Sequence, residues 1–130
     1  MVNVCLQKEI RHGVGGVALG DAAKIHSLLR LEGSKIENKN GVDIISDGIA
    51  TGAVQIPASG TPIIMMADRQ TTGGYTKIAN VISADFRILA QLKAGDKVRF
   101  EKVSITAAQD ALIAQKKALK CLRSALDAKM

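Results

Sequence analysis

The chain has 130 residues, of which 47% are hydrophobic and 2% aromatic, and its formal net charge is +6. This length and apolar content predict one folded domain whose core is built from Ile, Val, Leu, Ala and Met. The scarcity of aromatic side chains argues against single-stranded nucleic acid as a ligand, because proteins of that class stack bases on aromatic rings.

The positive charge is concentrated at the end of the chain. Residues 115–130 hold five basic residues and one acidic residue, a net of +4 (5 − 1). Nucleic-acid binding is therefore not expected, since no basic stripe crosses the domain. Cys5 and Cys121 lie far apart and indicate neither a disulfide framework nor a metal site. No apolar run is long enough to span a membrane and no signal-peptide pattern is present, so we expect a cytoplasmic protein without membrane association.

The first 29 residues differ in pattern from the rest of the chain. The stretch VNVCL, residues 2–6, predicts a short strand, and Gly13–Gly20 predicts a flexible glycine-rich segment. Within that segment GVGGVA satisfies a dinucleotide-binding fingerprint, but a buried strand does not directly precede it, so we interpret it as a linker. The stretch Asp21–Arg30 predicts a short helix with Asp21 as its N-cap.

From Leu31 onward the sequence is typical of a β protein. Short apolar or alternating runs are separated by dipeptides that favour turns. The alternation in Lys97–Val103 predicts a further strand with Val98 and Phe100 on one face. The other predicted strands are Val42–Ser46, Gly52–Pro57, Pro62–Ala67 and Lys77–Ile82.

Two helices complete the predicted elements. Ser83 is predicted to cap a short helix that ends at Leu92, and Thr106 with Gln109 forms a predicted capping box at the start of a long helix. Leucines then recur at helical spacing, which predicts a helix packed on the rest of the domain or on a partner, with contact to an anionic or membrane surface as an alternative. The predicted fold class is mainly β with helices, a compact β-barrel followed by a long C-terminal helix.

One stretch carries far more polar groups than a turn requires: Asp68–Lys77, DRQTTGGYTK, directly after a predicted buried strand. No cysteine or histidine lies near it, so a nucleophile with a paired base is not predicted. Hydrogen bonding is what the stretch offers, because Gln70 both donates and accepts and three hydroxyl groups accompany it. Those hydroxyls belong to Thr71, Thr72 and Tyr75.

The two glycines of this stretch, Gly73 and Gly74, would let the backbone approach a ligand closely and turn N–H groups toward an anion. Lys77 adds a cation. Asp68 could orient a substrate amide or act as a base, or it could form an ion pair with Arg69. These residues predict a binding loop for a small polar molecule that is anionic or carries an amide. The alternative is a Gly-Gly hairpin with a purely structural role.

Four motifs, GAVQIP, ADRQTTGGYTKI, VISAD and AGDKVRFEKVS, occur in this order in the chain. In sequence and spacing they closely resemble the C-terminal half of the carboxyltransferase-like family. That family includes the C subunit of 5-oxoprolinase, antagonists of sporulation-kinase inhibitors, allophanate hydrolase subunit 2 and a part of urea carboxylase. The resemblance runs from about Arg30 to about Leu112.

Family members of this kind are built from two cyclophilin-like β-barrel subdomains, and this chain resembles only the second. The resemblance therefore implies a C-terminal cyclophilin-like subdomain at 30–112, preceded by an unmatched segment at 1–29 and followed by a basic helical tail at 113–130. We expect the chain to be a truncated product, one part of a split gene, or an isolated subdomain.

The resemblance also implies candidate functions. In 5-oxoprolinase, the C subunit works with the A and B subunits in the ATP-dependent opening of 5-oxoproline to glutamate, so A-like and B-like partners are expected. ATP would be used at the level of the complex. The alternatives are a biotin-dependent carboxyltransferase acting on urea, a regulatory module that antagonises a kinase inhibitor, and an inactive fragment.

The resemblance also selects the residues of the site, for which a small amide or carboxylate substrate is expected. Asp68 is the candidate orienter or base, and no metal ligand is implied. The residues expected to bind the substrate are Gln55, Arg69, Gln70, Thr71, Thr72, Gly73, Gly74, Tyr75 and Lys77.

Overall fold

The computed structural model describes residues 2–9, 17–25, 28–37 and 43–129 of the chain. Strands dominate these ranges, and helices appear only in the second half. The strands are β1 (Val2–Glu9), β2 (Val17–Ile25), β3 (Leu28–Glu32), β4 (Asp43–Gly48), β5 (Ala53–Ile56), β6 (Ile63–Met65), β7 (Thr72–Val81) and β8 (Lys97–Val103). The helices are a 3₁₀ helix (Ser83–Asp85), α1 (Phe86–Gln91) and α2 (Ile105–Asp127).

The described strands form one mixed sheet in the order β1-β8-β2-β3-β6-β5-β7-β4. An additional parallel pairing, with Val4 opposite Val81, joins β1 to β7. The sheet therefore curls back on itself, and β4 is an outer strand on the first part of β7, where Gly48 lies opposite Thr72. The predicted fold class, mainly β with a long C-terminal helix, is confirmed, and the curled sheet is consistent with a cyclophilin-like barrel subdomain.

Two apolar cores lie on opposite faces of this sheet, because successive residues of a strand point to opposite sides. Val54 and Ile64 enter the larger core, whereas their neighbours Ala53 and Ile63 enter the smaller one. Residues from α1 and the turn after it, including Leu89 and Leu92, cover the larger core. The smaller core consists of Ile49, Ala53, Ile63 and Met65, with Leu28 packed against it.

The backbone passes very close to α1 just before β5 begins. Gly52 has a φ of +84°, and a Cβ at this position would lie 2.7 Å from Cε1 of Phe86. Its N–H donates to the carbonyl of Met65 at 2.7 Å, and its own carbonyl accepts from the N–H of Val81 at 2.9 Å. Glycine fits here because it adopts positive φ without strain and leaves room for the Phe86 ring.

The predicted helix over Asp21–Arg30 is wrong. Apart from residues 26–27, which lie outside the described part, this stretch belongs to β2 and β3, which pair with each other. A helix of this length is marginal on its own, whereas pairing in a sheet satisfies every second backbone group and adds burial. Leu29 and Leu31 are buried while Arg30 between them is exposed, which is the two-residue period of a strand.

The remaining strand predictions are confirmed, with changes of extent; the strand predicted over residues 2–6, for example, runs to Glu9. The last strand matches Lys97–Val103 at both ends, with Val98 buried and Arg99 exposed. The predicted strand Lys77–Ile82 begins earlier, at Thr72. The predicted flexible segment 13–20 is β2 from Val17 onward, and residues 13–16 lie outside the described part.

Both predicted helix caps are wrong in position. Ser83 is the first residue of the 3₁₀ helix and makes no side-chain cap. The N-cap of α2 is Ser104, whose Oγ accepts from the N–H of Ala107 at 3.1 Å, and Thr106 already lies inside the helix. A serine before the first helical residue caps it as well as threonine does.

The half-buried residues of α2 all lie in its first half, between Ala108 and Gln115. The helix packs on the 3₁₀ helix and on β1, and Nε2 of Gln115 donates to the carbonyl of Ala84 at 3.4 Å. No residue of α2 is buried. Among the helices of the described ranges, none has the length and apolar character that crossing a membrane requires.

Candidate functional site

The polar stretch singled out in the sequence is a turn followed by the start of a strand. A turn at Ala67–Asp68 is closed by the N–H of Arg69 donating to the carbonyl of Met66 at 3.3 Å. From Thr72 the chain is β7, which lies between β4 and β5. The Gly-Gly hairpin considered from the sequence is therefore wrong, because both glycines lie within an extended strand.

Two glutamine amides meet over Gly73. A Cβ on Gly73 would lie 3.2 Å from Nε2 of Gln70 and 3.8 Å from Nε2 of Gln55. It would also lie 2.7 Å from Cδ1 of Ile49, a member of the smaller core. The absence of a side chain at Gly73 thus lets the apolar end of Ile49 and the two amide groups approach the backbone of β7 closely. We call Gln55, Gln70 and Gly73 the amide cluster.

Gln55 is the unusual member of the amide cluster. It lies in β5, whose four residues are all buried, and only 2% of its surface is exposed. Within the described residues its Nε2 has no hydrogen-bond partner. A buried amide donor without a partner costs about 1–3 kcal/mol, and native proteins usually satisfy such groups with water, an ion or a ligand.

Lys77 stands beside this cluster and is held in place by β4. Its Cα is the register partner of Gln55 across the β5–β7 pairing. Its Nζ donates to a carboxylate oxygen of Asp47 and, at 2.8 Å, to the carbonyl of Gly48. The Lys77 side chain is 7% exposed, whereas that of Asp47 is 66% exposed. The cation is therefore enclosed, and its counter-charge reaches solvent.

The pKa of Asp47 lies below its usual value. The main cause is the hydrogen bond from Lys77, followed by the backbone N–H of Gly48 donating to Oδ1 at 2.7 Å and by the positive charge of Lys77. Asp47 was not predicted from the sequence. It is separated from Lys77 by 30 residues, and only the pairing of β4 with β7 brings them together.

Arg69 supports the site rather than facing open solvent. Its Nε donates to the carbonyl of Ile49 at 3.0 Å and its Nη1 to the carbonyl of Ala67 at 3.3 Å. The N–H of Ile49 in turn donates to the carbonyl of Thr71 at 2.9 Å. Among the described residues no ion pair joins Arg69 to Asp68, so the guanidinium fixes the segment that carries Ile49.

The other predicted site residues lie at the exposed margin. Asp68 is exposed at the turn, and Thr71 and Thr72 are also exposed. Tyr75 is 42% exposed, and a Cβ on Gly74 would lie 3.1 Å from the carbonyl of Ile44 in β4. The structure thus brings Gln55, Gln70, Gly73 and Lys77 together and leaves Asp68, the predicted orienter or base, outside that group.

The described ranges contain no group of three or more His, Cys, Asp or Glu side chains placed to hold a metal ion. What the cluster can do chemically is bind. Two amide groups suit an oxygen acceptor such as a carbonyl or carboxylate, while Lys77 is engaged by Asp47 and Gly48. Residues that sequence reasoning missed are Asp47, Gly48 and Ile49, and no local motif marks them.

The fold and the amide cluster together define a class of protein, a curled mixed β-sheet domain that carries a cluster of polar side chains beside β7. The chain belongs to the carboxyltransferase domain family, subdomain A and B, whose family model matches residues 27–102. The resemblance stated from the motifs is thereby confirmed.

Relatives of known name support this membership. The chain is 53% identical over 76 residues to the 5-oxoprolinase C subunit of Haemophilus influenzae and 41% identical over 76 residues to that of Escherichia coli. The match covers 58% of this chain and 25% and 24% of those proteins. The chain therefore spans about a quarter of the length of the curated relatives that it matches.

Solved structures agree with the fold. The crystal structure of TTHA0988 in space group P212121 matches with a TM-score of 0.57 and 25% identity, over 73% of this chain and 20% of that one. Its structure in space group P6522 matches with a TM-score of 0.57 and 26% identity, over 74% of this chain and 20% of that one. These matches extend beyond the residues of the family model.

Proposed function

We propose that this chain is the distal subdomain of a protein like the 5-oxoprolinase C subunit, in which the amide cluster holds the carbonyl or carboxylate oxygen of a small amide. The observation that carries the proposal is the buried amide of Gln55, whose Nε2 has no partner among the described residues and lies close to Gly73. The matched relatives are named as the C subunit of 5-oxoprolinase, which supplies the substrate class.

The chemistry of the cluster fits 5-oxoproline, which offers a lactam carbonyl and a carboxylate as acceptors. A donor that is already buried and unpartnered loses no further solvation when such an oxygen arrives, so its hydrogen bond favours binding. The wall of Ile49 suits the apolar ring carbons. Within this proposal Asp68 and Tyr75 belong to the exposed rim, where Asp68 could orient the substrate N–H.

ATP fits these residues poorly. The two cations beside the cluster are already engaged, Lys77 by Asp47 and Gly48 and Arg69 by backbone carbonyls. A triphosphate is bound by cations and backbone N–H groups that are free to meet it. We therefore assign ATP use to the A-like and B-like partners, and the 30–112 subdomain to holding the substrate.

The test is reconstitution of the full chain with its A-like and B-like partners, followed by assay of 5-oxoproline-dependent ATP hydrolysis. Gln70→Ala and Asp68→Ala should lower the rate, Gln70→Ala by at least about tenfold because it removes an amide donor to the substrate. Gln109→Ala is the matched control, since Gln109 is an exposed glutamine on α2. Equal rates in Gln70→Ala and Gln109→Ala would refute the site.

A direct measurement of ligand binding separates recognition of the substrate from its turnover by the complex. NMR spectra of the full chain titrated with 5-oxoproline should show shifts at Gly73 and at the side-chain amides of Gln55 and Gln70. Urea and proline serve as comparison ligands, because urea lacks the carboxylate and proline lacks the lactam carbonyl. Preference for urea would favour the carboxyltransferase alternative, with biotin on a partner. Binding to the partners without ligand-induced shifts or turnover would favour a regulatory module. Binding to neither the partners nor a ligand would mean an inactive fragment.

A further inference from the structure

The second half of α2 carries an apolar surface that the rest of the described chain does not cover. Leu119, Leu122 and Leu126 are 61%, 63% and 66% exposed, and they follow one another at spacings of three and four residues. They lie on one side of the helix for that reason. We call these three residues the leucine stripe. The family model ends at residue 102, before α2 begins, so the stripe lies outside the matched region.

The leucine stripe continues a row of α2 residues that is already packed against the rest of the domain. Leu112 and Gln115 precede it at the same alternating spacing and are half-buried, and Gln115 donates to the carbonyl of Ala84. Apolar positions recurring every three and four residues form the seam by which one helix packs along another. The first part of the seam is covered by the domain itself, and the leucine stripe is its uncovered continuation.

The two edges of the stripe differ in chemistry. Lys116 and Arg123, seven residues apart, border it on one side, and both are exposed. Ala111, Ala118 and Ala125 border it on the other side, where small side chains allow a second helix to approach closely. The edge positions beside such a seam select the charge of the partner helix.

The alanine edge opens into a groove between α2 and the segment that holds the 3₁₀ helix and α1. This groove has a volume of about 530 Å³, and Arg87, Ala114 and Leu119 are among its lining residues. Arg87 is exposed there, whereas Asp85, which also lines the groove, is only 7% exposed. A partner lying on the stripe would therefore meet a basic group on each side.

We propose that the leucine stripe is a docking surface for an amphipathic helix of another protein, with leucine-type side chains on its contact face and acidic side chains along its edges. A second copy of this chain fits less well, because the half of α2 from 116 to 127 carries four basic residues and one acidic residue, a net of +3 (4 − 1). A bilayer surface fits less well because the groove beside the stripe is concave.

The test uses the full chain and two labelled peptides of about 21 residues, three heptads, each with leucine at seam spacing and with either Glu or Lys at every edge position. Fluorescence anisotropy should show that the Glu peptide binds at least about tenfold more tightly than the Lys peptide, because several like-charge contacts are replaced by opposite-charge ones. The double variant Leu119→Glu/Leu122→Glu should lose binding of the Glu peptide. Since both positions are exposed, its thermal unfolding should match that of the unaltered chain.

Two matched double charge reversals separate the effect of the Lys116 and Arg123 edge from that of the net charge of the helix. Lys116→Glu/Arg123→Glu should invert the peptide preference, whereas Lys117→Glu/Lys120→Glu, with the same change in net charge on the rest of the helix, should retain it. Three results would overturn the proposal. They are equal binding of the two peptides, a dimer of the chain in light scattering that Leu119→Glu/Leu122→Glu abolishes, and stripe-dependent binding to phosphatidylcholine–phosphatidylglycerol vesicles without binding to the Glu peptide.

Discussion

Gly73 lies beneath the side-chain amide of Gln70, so closely that a methyl group on Gly73 would stand 3.2 Å from Nε2 of Gln70. The same methyl group would stand 2.7 Å from Cδ1 of Ile49. The glycine therefore allows Gln70 and Ile49 to pack directly over the backbone of β7. This close approach brings Gln70 of the polar stretch near the buried amide of Gln55.

Replacing Gly73 should block ligand binding more than it destabilises the fold. In Gly73→Ala the new methyl group would collide with Cδ1 of Ile49 and crowd the amide of Gln70. Because the flexible end of Ile49 can move, we expect a loss of about 1 kcal/mol in the free energy of unfolding. Titration calorimetry with 5-oxoproline should show no heat of binding. Gly48→Ala is the control, because a Cβ at Gly48 meets nothing within 4 Å. Retained binding in Gly73→Ala would contradict this account.

The buried amide of Gln55 should lower the stability of the fold while contributing to ligand binding. Gln55→Leu replaces an unpartnered buried amide with an apolar side chain of similar size, so we expect the free energy of unfolding to rise by roughly 1 kcal/mol. Binding of 5-oxoproline should be lost in the same variant. Urea denaturation measures the first effect, with Gln109→Leu as an exposed control that should change little. A large loss of stability in Gln55→Leu would mean that the amide is satisfied in the folded protein.

The ion pair between Lys77 and Asp47 should be detectable in the pH titration of the Asp47 carboxyl group. The pKa of Asp47 lies below its usual value of about 4 because Lys77 donates to it. A carboxyl whose pKa is lower in the folded than in the unfolded state adds stability above the unfolded pKa, and this stability is lost as the pH falls through the folded pKa.

In Lys77→Met the pKa of Asp47 should therefore rise, because two of the three effects that lower it come from Lys77. Carboxyl-carbon NMR of both proteins, from acid conditions up to near neutrality, measures it. Lys102→Met, at an exposed position of β8, is the control and should leave the titration of Asp47 unchanged. An identical pKa in the unaltered chain and in Lys77→Met would show that the bridge does not form in solution.

Gly52 should be less replaceable than Gly95, which shares its positive φ. Gly52→Ala combines left-handed backbone strain with a contact of 2.7 Å to Phe86, which predicts a loss of roughly 2–4 kcal/mol. Gly95→Ala shares the positive φ of +83° but meets nothing within 4 Å, so only the strain of about 1–2 kcal/mol is expected. Thermal unfolding of both variants gives the difference, and equal losses would rule out the Phe86 contact as the cause.

The start of α2 offers a local test of its cap. Ser104→Ala should cost the first turn about 1 kcal/mol, because the N–H of Ala107 loses its acceptor. Hydrogen exchange at the Ala107 amide should then become faster, by roughly fivefold for about 1 kcal/mol. Thr106→Ala should leave that exchange rate unchanged, since Thr106 lies within the helix. The reverse result would restore the capping box predicted from the sequence.

Most of the strands, the long helix and the family could be predicted from the sequence alone. In β8 the strict alternation of Val98 and Phe100 with charged residues matches the observed strand, because a two-residue period is specific to extended chain with one buried face. The polar stretch was visible from composition: a strand that is apolar throughout seldom continues into so many hydrogen-bonding groups. Gln70 and Gly73 were thus recognised from residue type alone.

The remaining features depend on tertiary structure. The segment at 21–30 is compatible with a helix by its local propensities, and only its pairing within the sheet, between β2 and β3 and between β3 and β6, makes it a strand. Asp47 and Ile49 belong to the site because β4 pairs with β7, and no local signal connects Asp47 with Lys77, 30 positions away. Local patterns record what each residue can do over a few neighbours, whereas the contacts that build the cluster exist only after the sheet has curled.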